Sequence, residues 1–245
     1  VRKMRAGRPR CHCHGIMACY DKAVQDVKAR IARAAREAGR DPSEVTLVAV
    51  SKTFPAAAIR AVYATGQREF GENYVQEAAA KREALADLPG LRMVLIGPLQ
   101  GNKARDAARV FDRVESVDRP KIAERLSALR PPDRPPLDVL VQVNVSGEAT
   151  KSGVAPGEAV ALAKAVAALP RLAFRGFMGI AEPTPDVARQ RAQFATLARC
   201  RDEARAAGLA ADTLSMGMTD DMDAAIAEGA TEVRIGTAIF GPREG

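Results

Sequence analysis

Eight short apolar runs, each joined to the next by a stretch of helical periodicity, divide the chain into repeated strand and helix units, and this alternation restricts the fold more than any other feature. The first run, Val45-Thr46-Leu47-Val48-Ala49-Val50, is almost wholly apolar and of strand length, as expected of a parallel strand covered on both faces. Further strands are predicted near 68–71, 92–97, 112–117, 138–145, 172–180, 211–215 and 231–235. Helices are predicted around 56–65, 73–86, 101–109, 119–129, 156–168, 186–207 and 220–228. One more helix comes first: Val24, Val27, Ile31, Ala34, Ala35 and Ala38 recur at helical spacing over 23–38, and Gly39 follows as a stop signal. Crossovers of this length join parallel strands with right-handed connections. In a chain of 245 residues they predict an α/β fold, a single (β/α)8 TIM-type barrel with an extra N-terminal helix, which takes about 250 residues. A doubly wound open sheet is the competitor, but no G-x-G-x-x-G follows the first strand and the number of units suits closure. The stretch Pro131-Pro132-Asp133-Arg134-Pro135-Pro136 is too short for a domain linker and is expected to be a stiff surface loop.

Charge and composition narrow the function classes. Of the net charge of +7, five units come from Arg2, Lys3, Arg5, Arg8 and Arg10, which leaves +2 for the rest. A nearly neutral body without Trp lacks the basic face and stacking platform of a nucleic-acid binder. No apolar run approaches the roughly 18 residues of a membrane span, so the cytoplasm is the expected location. Residues 1–16 are expected to be a disordered basic leader, and 17–245 the folded barrel. Both histidines, His12 and His14, fall in Cys11-His12-Cys13-His14, whose spacing matches no structural zinc site. A mechanism with a histidine base in the barrel is therefore disfavoured. Cys19 and Cys200 remain in the body, too few for a disulfide framework.

In a barrel of this kind the site lies at the C-terminal ends of the strands. The residues there are polar or small: Ser51-Lys52, Gly71-Glu72-Asn73, Gly97-Pro98, Asn144-Val145-Ser146, Ser215-Met216-Gly217 and Gly236-Thr237. Alternation puts Lys52 on the face of Val48 and Val50, which points inward. Desolvation would favour a neutral amine able to attack an aldehyde, although a lysine at a strand end can also extend to solvent. The loops after strands seven and eight, with Ser215 and Gly217 in one and Gly236 and Thr237 in the other, suit a phosphate. Asp220, Asp221 and Asp223 would repel an anion at the first, so the second carries more weight. Turn chemistry is the alternative for Gly-Thr. Arg234 shares the face of Gly236 and has only donors, so it could hold a pyridine nitrogen unprotonated. A salt bridge to Glu232 or a neighbouring strand is its other reading.

With these motifs the chain resembles the pyridoxal phosphate homeostasis protein family, relatives of the alanine racemase N-terminal barrel. The resemblance runs from about Tyr20 to Gly241 through Val48-Ala49-Val50-Ser51-Lys52-Thr53, Phe70-Gly71-Glu72-Asn73-Tyr74-Val75-Gln76-Glu77, Ile96-Gly97-Pro98-Leu99-Gln100-Gly101-Asn102-Lys103, Leu214-Ser215-Met216-Gly217-Met218-Thr219-Asp220-Asp221 and Val233-Arg234-Ile235-Gly236-Thr237-Ala238-Ile239-Phe240-Gly241. It implies that Lys52 carries pyridoxal 5′-phosphate as an imine, that Asn73 lines the site and that Arg234 faces the pyridine nitrogen. Ser215, Gly217, Gly236 and Thr237 would hold the phosphate, and Lys151 matches another lysine-bearing loop. The implied role is non-catalytic, control of free cofactor in exchange with apo-enzymes, by a monomer or weak dimer. Met93-Val94 stands where an aromatic–His pair is usual, and Phe54 replaces a more polar residue; these departures bear on the outer rim. The rival reading is a pyridoxal phosphate-dependent racemase or lyase. It needs a second acid/base across the ring, for which Tyr74 is the internal candidate, since Tyr20 and Tyr63 are placed away from the mouth.

Overall fold

The structure is a computed structural model and describes residues 13–242. Helix α1 (Cys13–Glu37) is followed by β1 (Thr46–Val50), α2 (Ala56–Tyr63), β2 (Glu69–Glu72), α3 (Val75–Ala84), β3 (Arg92–Leu95), α4 (Ala104–Val110) and β4 (Arg113–Val117). Then come α5 (Pro120–Leu129), β5 (Leu137–Gln142), α6 (Ala159–Ala167), β6 (Leu172–Met178), α7 (Val187–Ala206), β7 (Thr213–Ser215), α8 (Met222–Ala227), β8 (Glu232–Ile235) and α9 (Thr237–Phe240). The strands form a closed barrel in sequence order, every pairing parallel, and β8 returns to β1 with Val48 opposite Arg234. The predicted (β/α)8 barrel with its leading helix is what forms. The strands are buried on both faces, by each other's side chains within and by the helices outside, which is why they read as unbroken apolar runs.

Differences from the predicted elements lie at their ends. Strands five and six stop at Gln142 and Met178, so Val143 to Ser146 and Gly179-Ile180 belong to the mouth. Short 3-10 turns at Gly101–Lys103 and Pro156–Glu158 precede α4 and α6, and α8 begins only at Met222. The loop with six residues from Pro131 to Pro136 is clasped by Arg130, which is buried and donates to Ala108 O, Phe111 O and Pro135 O at 2.7, 2.8 and 2.9 Å. Helix α1 starts ten residues ahead of its predicted first residue, within the segment read as a leader. The basic residues Arg2 to Arg10, with Cys11 and His12, lie outside the described residues.

Among the described side chains of α1, the first packed on the core are Tyr20 and Val24. Deleting residues 1–16 is therefore expected to change the melting temperature by less than about 2 °C, or under ~1 kcal/mol for a domain of this size. A larger fall in a thermal scan would mean that the leader packs on the barrel.

Candidate functional site

A cavity of about 280 Å³ opens at the C-terminal ends of the strands. Lys52 lines it from β1, Asn73 from β2, and Arg234, Gly236 and Thr237 from β8 and the head of α9. Five of the seven predicted site residues thus meet in one place. The apolar wall comes from Val50, Phe54, Ile96 and Ile180. Gly97 backs Asn73 so closely that a Cβ there would sit 2.6 Å from Asn73 O, so the glycine sets how near β3 can come to that side chain.

The turn bearing Lys52 is pinned from below. Phe54 N donates to Ser51 O at 3.1 Å, and Thr53, with φ 70°, donates its N–H to Glu77 Oε1 at 2.7 Å. Lys81 of α3 is buried and spends its ammonium on Ser51 O, Glu72 Oε1 and Glu77 Oε1 at 2.9, 2.6 and 2.5 Å. Burial raises the Glu72 carboxyl above its ordinary range, against the opposing pull of Lys81. Lys52 itself is half-buried on the inward face that Val50 also occupies. Sequence reasoning did not single out Lys81; its one signal is the Glu77 four residues before it on α3.

Arg234 is buried and held from behind, Nη1 donating to Ser215 Oγ at 2.6 Å and Nη2 to Gly179 O at 3.0 Å. Its side chain turns to the cavity and to Ser215, and no ion pair with Glu232 forms. Thr237 is exposed at the first position of α9. Ile239 and Phe240 donate to Gly236 O, whereas the N–H groups of Thr237 and Ala238 have no helical carbonyl ahead of them.

The loop after β7 is built differently from expectation. Ser215 is fully buried and its hydroxyl faces Glu115, Glu232 and Arg234 inside the barrel. The cause is register: Ser215 pairs with Glu232, an inward residue, so its side chain turns in rather than up to the mouth. Gly217 (φ 101°) lies off the cavity, where a Cβ would come within 2.6 Å of Ala225 Cβ; it lets the loop pack on α8. The nearby acids are also committed. Asp221 Oδ1 accepts from Met218 N at 2.7 Å, and Asp223 pairs with Arg30 at 3.3 Å. Burial raises the Asp221 carboxyl.

Other candidates lie outside the cavity. Asn144 organises its own loop, donating to Glu148 O at 2.7 Å and accepting from Gly147 N at 3.1 Å. Lys151, on that loop, is exposed, 3.7 Å from Glu148. Tyr74 is 59% exposed and does not line the cavity. Tyr20 is closer to the mouth than its sequence position suggested: it packs edge-on against Phe240, which stacks on Phe54 at 5.1 Å. Met93 and Val94 are fully buried in the barrel wall, so that departure falls in the core and not at the rim. Among the described residues no group of three or more His, Cys, Asp or Glu is placed to hold a metal ion. No helix among them is long and apolar enough to cross a membrane.

Beneath the cavity the barrel interior is ionic. Arg113 reaches Glu69, Glu115 and Glu232 at 2.9, 3.0 and 2.6 Å. Ser215 links this cluster to Arg234.

Comparison with known proteins bears on this geometry. The family described as alanine racemase, N-terminal domain, matches residues 23–244. A pyridoxal phosphate homeostasis protein of Pseudomonas aeruginosa is 57% identical over 93% of this chain and 97% of its own length. One of Escherichia coli is 49% identical over 90% of this chain and 95% of its own. The solved structure of PipY from Synechococcus elongatus with pyridoxal phosphate bound is 38% identical, covers 91% of this chain and all of that one, and superposes with a TM-score of 0.77. The barrel, the lysine at the end of its first strand and these relatives together place the chain in the alanine racemase N-terminal domain family, among the pyridoxal phosphate homeostasis proteins.

Proposed function

We propose that this protein binds pyridoxal 5′-phosphate as an imine on Lys52 and keeps the free cofactor in check, without turnover of its own. The observation that carries the reading is the convergence of an amine, a donor-only guanidinium and the Gly236-Thr237 turn on one cavity. These groups fit the cofactor's chemistry end by end. When bound, the cofactor supplies a reactive aldehyde carbon and an electron-withdrawing ring. Lys52 holds the aldehyde end, and Asn73 lines the ring edge. Arg234, which can only donate, holds the ring nitrogen unprotonated and so weakens the ring as an electron sink. Thr237 and the leading N–H groups of α9 take the phosphate, with Gly236 giving close backbone approach. Ser215 supports the ring-nitrogen end by holding Arg234, and Gly217 shapes the loop after β7, in place of direct contact with the phosphate. Phe54 and Ile180 keep water from the ring face. In the cell the cofactor would pass to apo-enzymes in the cytoplasm, with the protein a monomer or weak dimer.

The absorbance spectrum of purified protein given pyridoxal phosphate tests the reading: an imine absorbs near the violet edge of the visible and changes on borohydride treatment. A racemase would need a second acid/base across the ring, and Tyr74 is outside the cavity. Steady-state turnover of amino acids in a racemase or lyase assay would overturn the non-catalytic assignment.

Thr237→Ala is expected to weaken pyridoxal phosphate about ten- to hundredfold, the value of roughly 1.5–3 kcal/mol for a hydrogen bond to a charged group. Pyridoxal, which lacks the phosphate, should bind both proteins equally. Equal losses for the two ligands, or a lowered melting temperature with affinity intact, would make Thr237 a turn residue.

A further inference from the structure

Two guanidinium groups and three carboxyl groups share the barrel interior: Arg113 of β4 and Arg234 of β8 with Glu69 of β2, Glu115 of β4 and Glu232 of β8. Glu69 is only half-buried and has a further counter-charge in Arg92, its register partner on β3, 3.4 Å away. Glu115 and Glu232 are buried, and both reach Arg113 and Ser215, so as two carboxylates they would repel each other away from water, which is costly. Hydrogen-bond counting leads to the same place independently. Ser215 Oγ accepts from Arg234 Nη1 at 2.6 Å and lies 2.6 Å from Glu115 Oε2 and 3.2 Å from Glu232 Oε1. A hydroxyl has one proton to donate. It can satisfy one carboxylate, so the second contact requires a proton on a carboxyl.

We propose that Glu115 and Glu232 share one stored proton, carried on Glu232, and that through Ser215 the pair positions Arg234 toward the ring nitrogen of the bound cofactor. The second half rests on the cofactor assignment above; the first does not. Burial and the neighbouring Glu115 charge raise Glu232 well above the ordinary carboxyl range. At Glu115 burial also pushes upward, but the hydrogen bond with Glu232 and the charges of Arg113 and Arg234 outweigh it, and the carboxyl is lowered. One proton thus relieves the repulsion between the two buried carboxyl groups and completes the hydrogen bonds at Ser215. Arg234 then spends two of its donors on Ser215 and Gly179 and keeps the rest for the cavity.

Infrared spectroscopy of the ligand-free protein at neutral pH should show the carbonyl stretch of a protonated, buried carboxyl. Glu232→Gln should lack that band and melt close to wild type, because a carboxamide offers an N–H where the carboxyl offered an O–H. No such band in the wild type, or its persistence in Glu232→Gln, overturns the stored proton. Positioning is read by titrating pyridoxal phosphate into Ser215→Ala. The absorption maximum of the bound ligand should move and its affinity fall about tenfold, the loss of one hydrogen bond behind the guanidinium. An unchanged spectrum and affinity overturn the link through Ser215. If pyridoxal phosphate fails to bind the wild type, the cofactor assignment and the positioning role fall together, while the infrared band still decides the proton.

Discussion

Lys52→Ala is expected to leave a folded barrel that retains no cofactor through borohydride treatment and denaturation. Peptide mapping of the wild type should recover the reduced label on Lys52. The structure sharpens this by disposing of the nearest rival, since Lys81 lies directly below the same turn. Its ammonium has three protons and three acceptors, Ser51 O, Glu72 and Glu77, so no lone pair is available without breaking a buried ion network. Lys52 is half-buried and lines the cavity, where an aldehyde can reach it. Truncating a half-buried side chain should cost little stability, within about 1 kcal/mol. Lys81→Ala is the useful contrast: it should lower the melting temperature by leaving Glu72 buried without its cation, and it should still take the label at Lys52 once folded. Recovery of the label mainly on Lys81, Lys103 or Lys151 would remove Lys52 from the role.

The mouth of the barrel was legible in the sequence because its evidence is local. Each strand announces itself as an apolar run, and the residue types at and just beyond its end can be read directly; Lys52, Arg234, Gly236 and Thr237 were found that way, Asn73 through the family resemblance, and all five line one cavity. Ser215 shows where that procedure stops. A serine at a strand end can turn up toward a ligand or down into the barrel, and the choice depends on its register against Glu232, 17 residues away. The ionic interior was less accessible still. Arg113 and Glu115 alternate along β4 and Glu232 and Arg234 along β8, so their shared inward face follows from period two. What that pattern does not say is that two strands 119 residues apart meet across the barrel, as Arg113 and Glu232 do. Charged residues of opposite sign at alternate positions of otherwise apolar strands were the available signal. The acids after β7 have local roles that their sequence positions do not announce: Asp221 accepts from the Met218 N–H, and Asp223 pairs with Arg30.

Arg113→Leu should be the most destabilising single change in the barrel. The guanidinium is buried against three carboxyl groups, which keep it protonated despite the desolvation that opposes this. Removing one partner from a buried ionic cluster typically costs about 3–5 kcal/mol, because the remaining charges are stranded. That is a large share of a total stability of roughly 5–15 kcal/mol and corresponds to a fall of about 6–20 °C in a domain of this size. The dependence on pH separates this cause from simple loss of packing. In the wild type Glu115 has a lowered pKa, so its contribution is present above the ordinary carboxyl range and is lost as acid protonates it in the folded state. Glu232 has a raised pKa, so its contribution is complete below the ordinary range and is lost as pH climbs through the raised value. Wild-type stability should therefore fall away on both sides of a plateau. Without Arg113 both carboxyl groups are pushed upward, protonation relieves the cluster, and the deficit of the variant should shrink steadily as the pH is lowered. Urea midpoints for the two proteins across the acid and neutral range measure this. A deficit that stays constant with pH would mean that Arg113 acts through packing alone and that the interior carboxyl groups are not coupled to it.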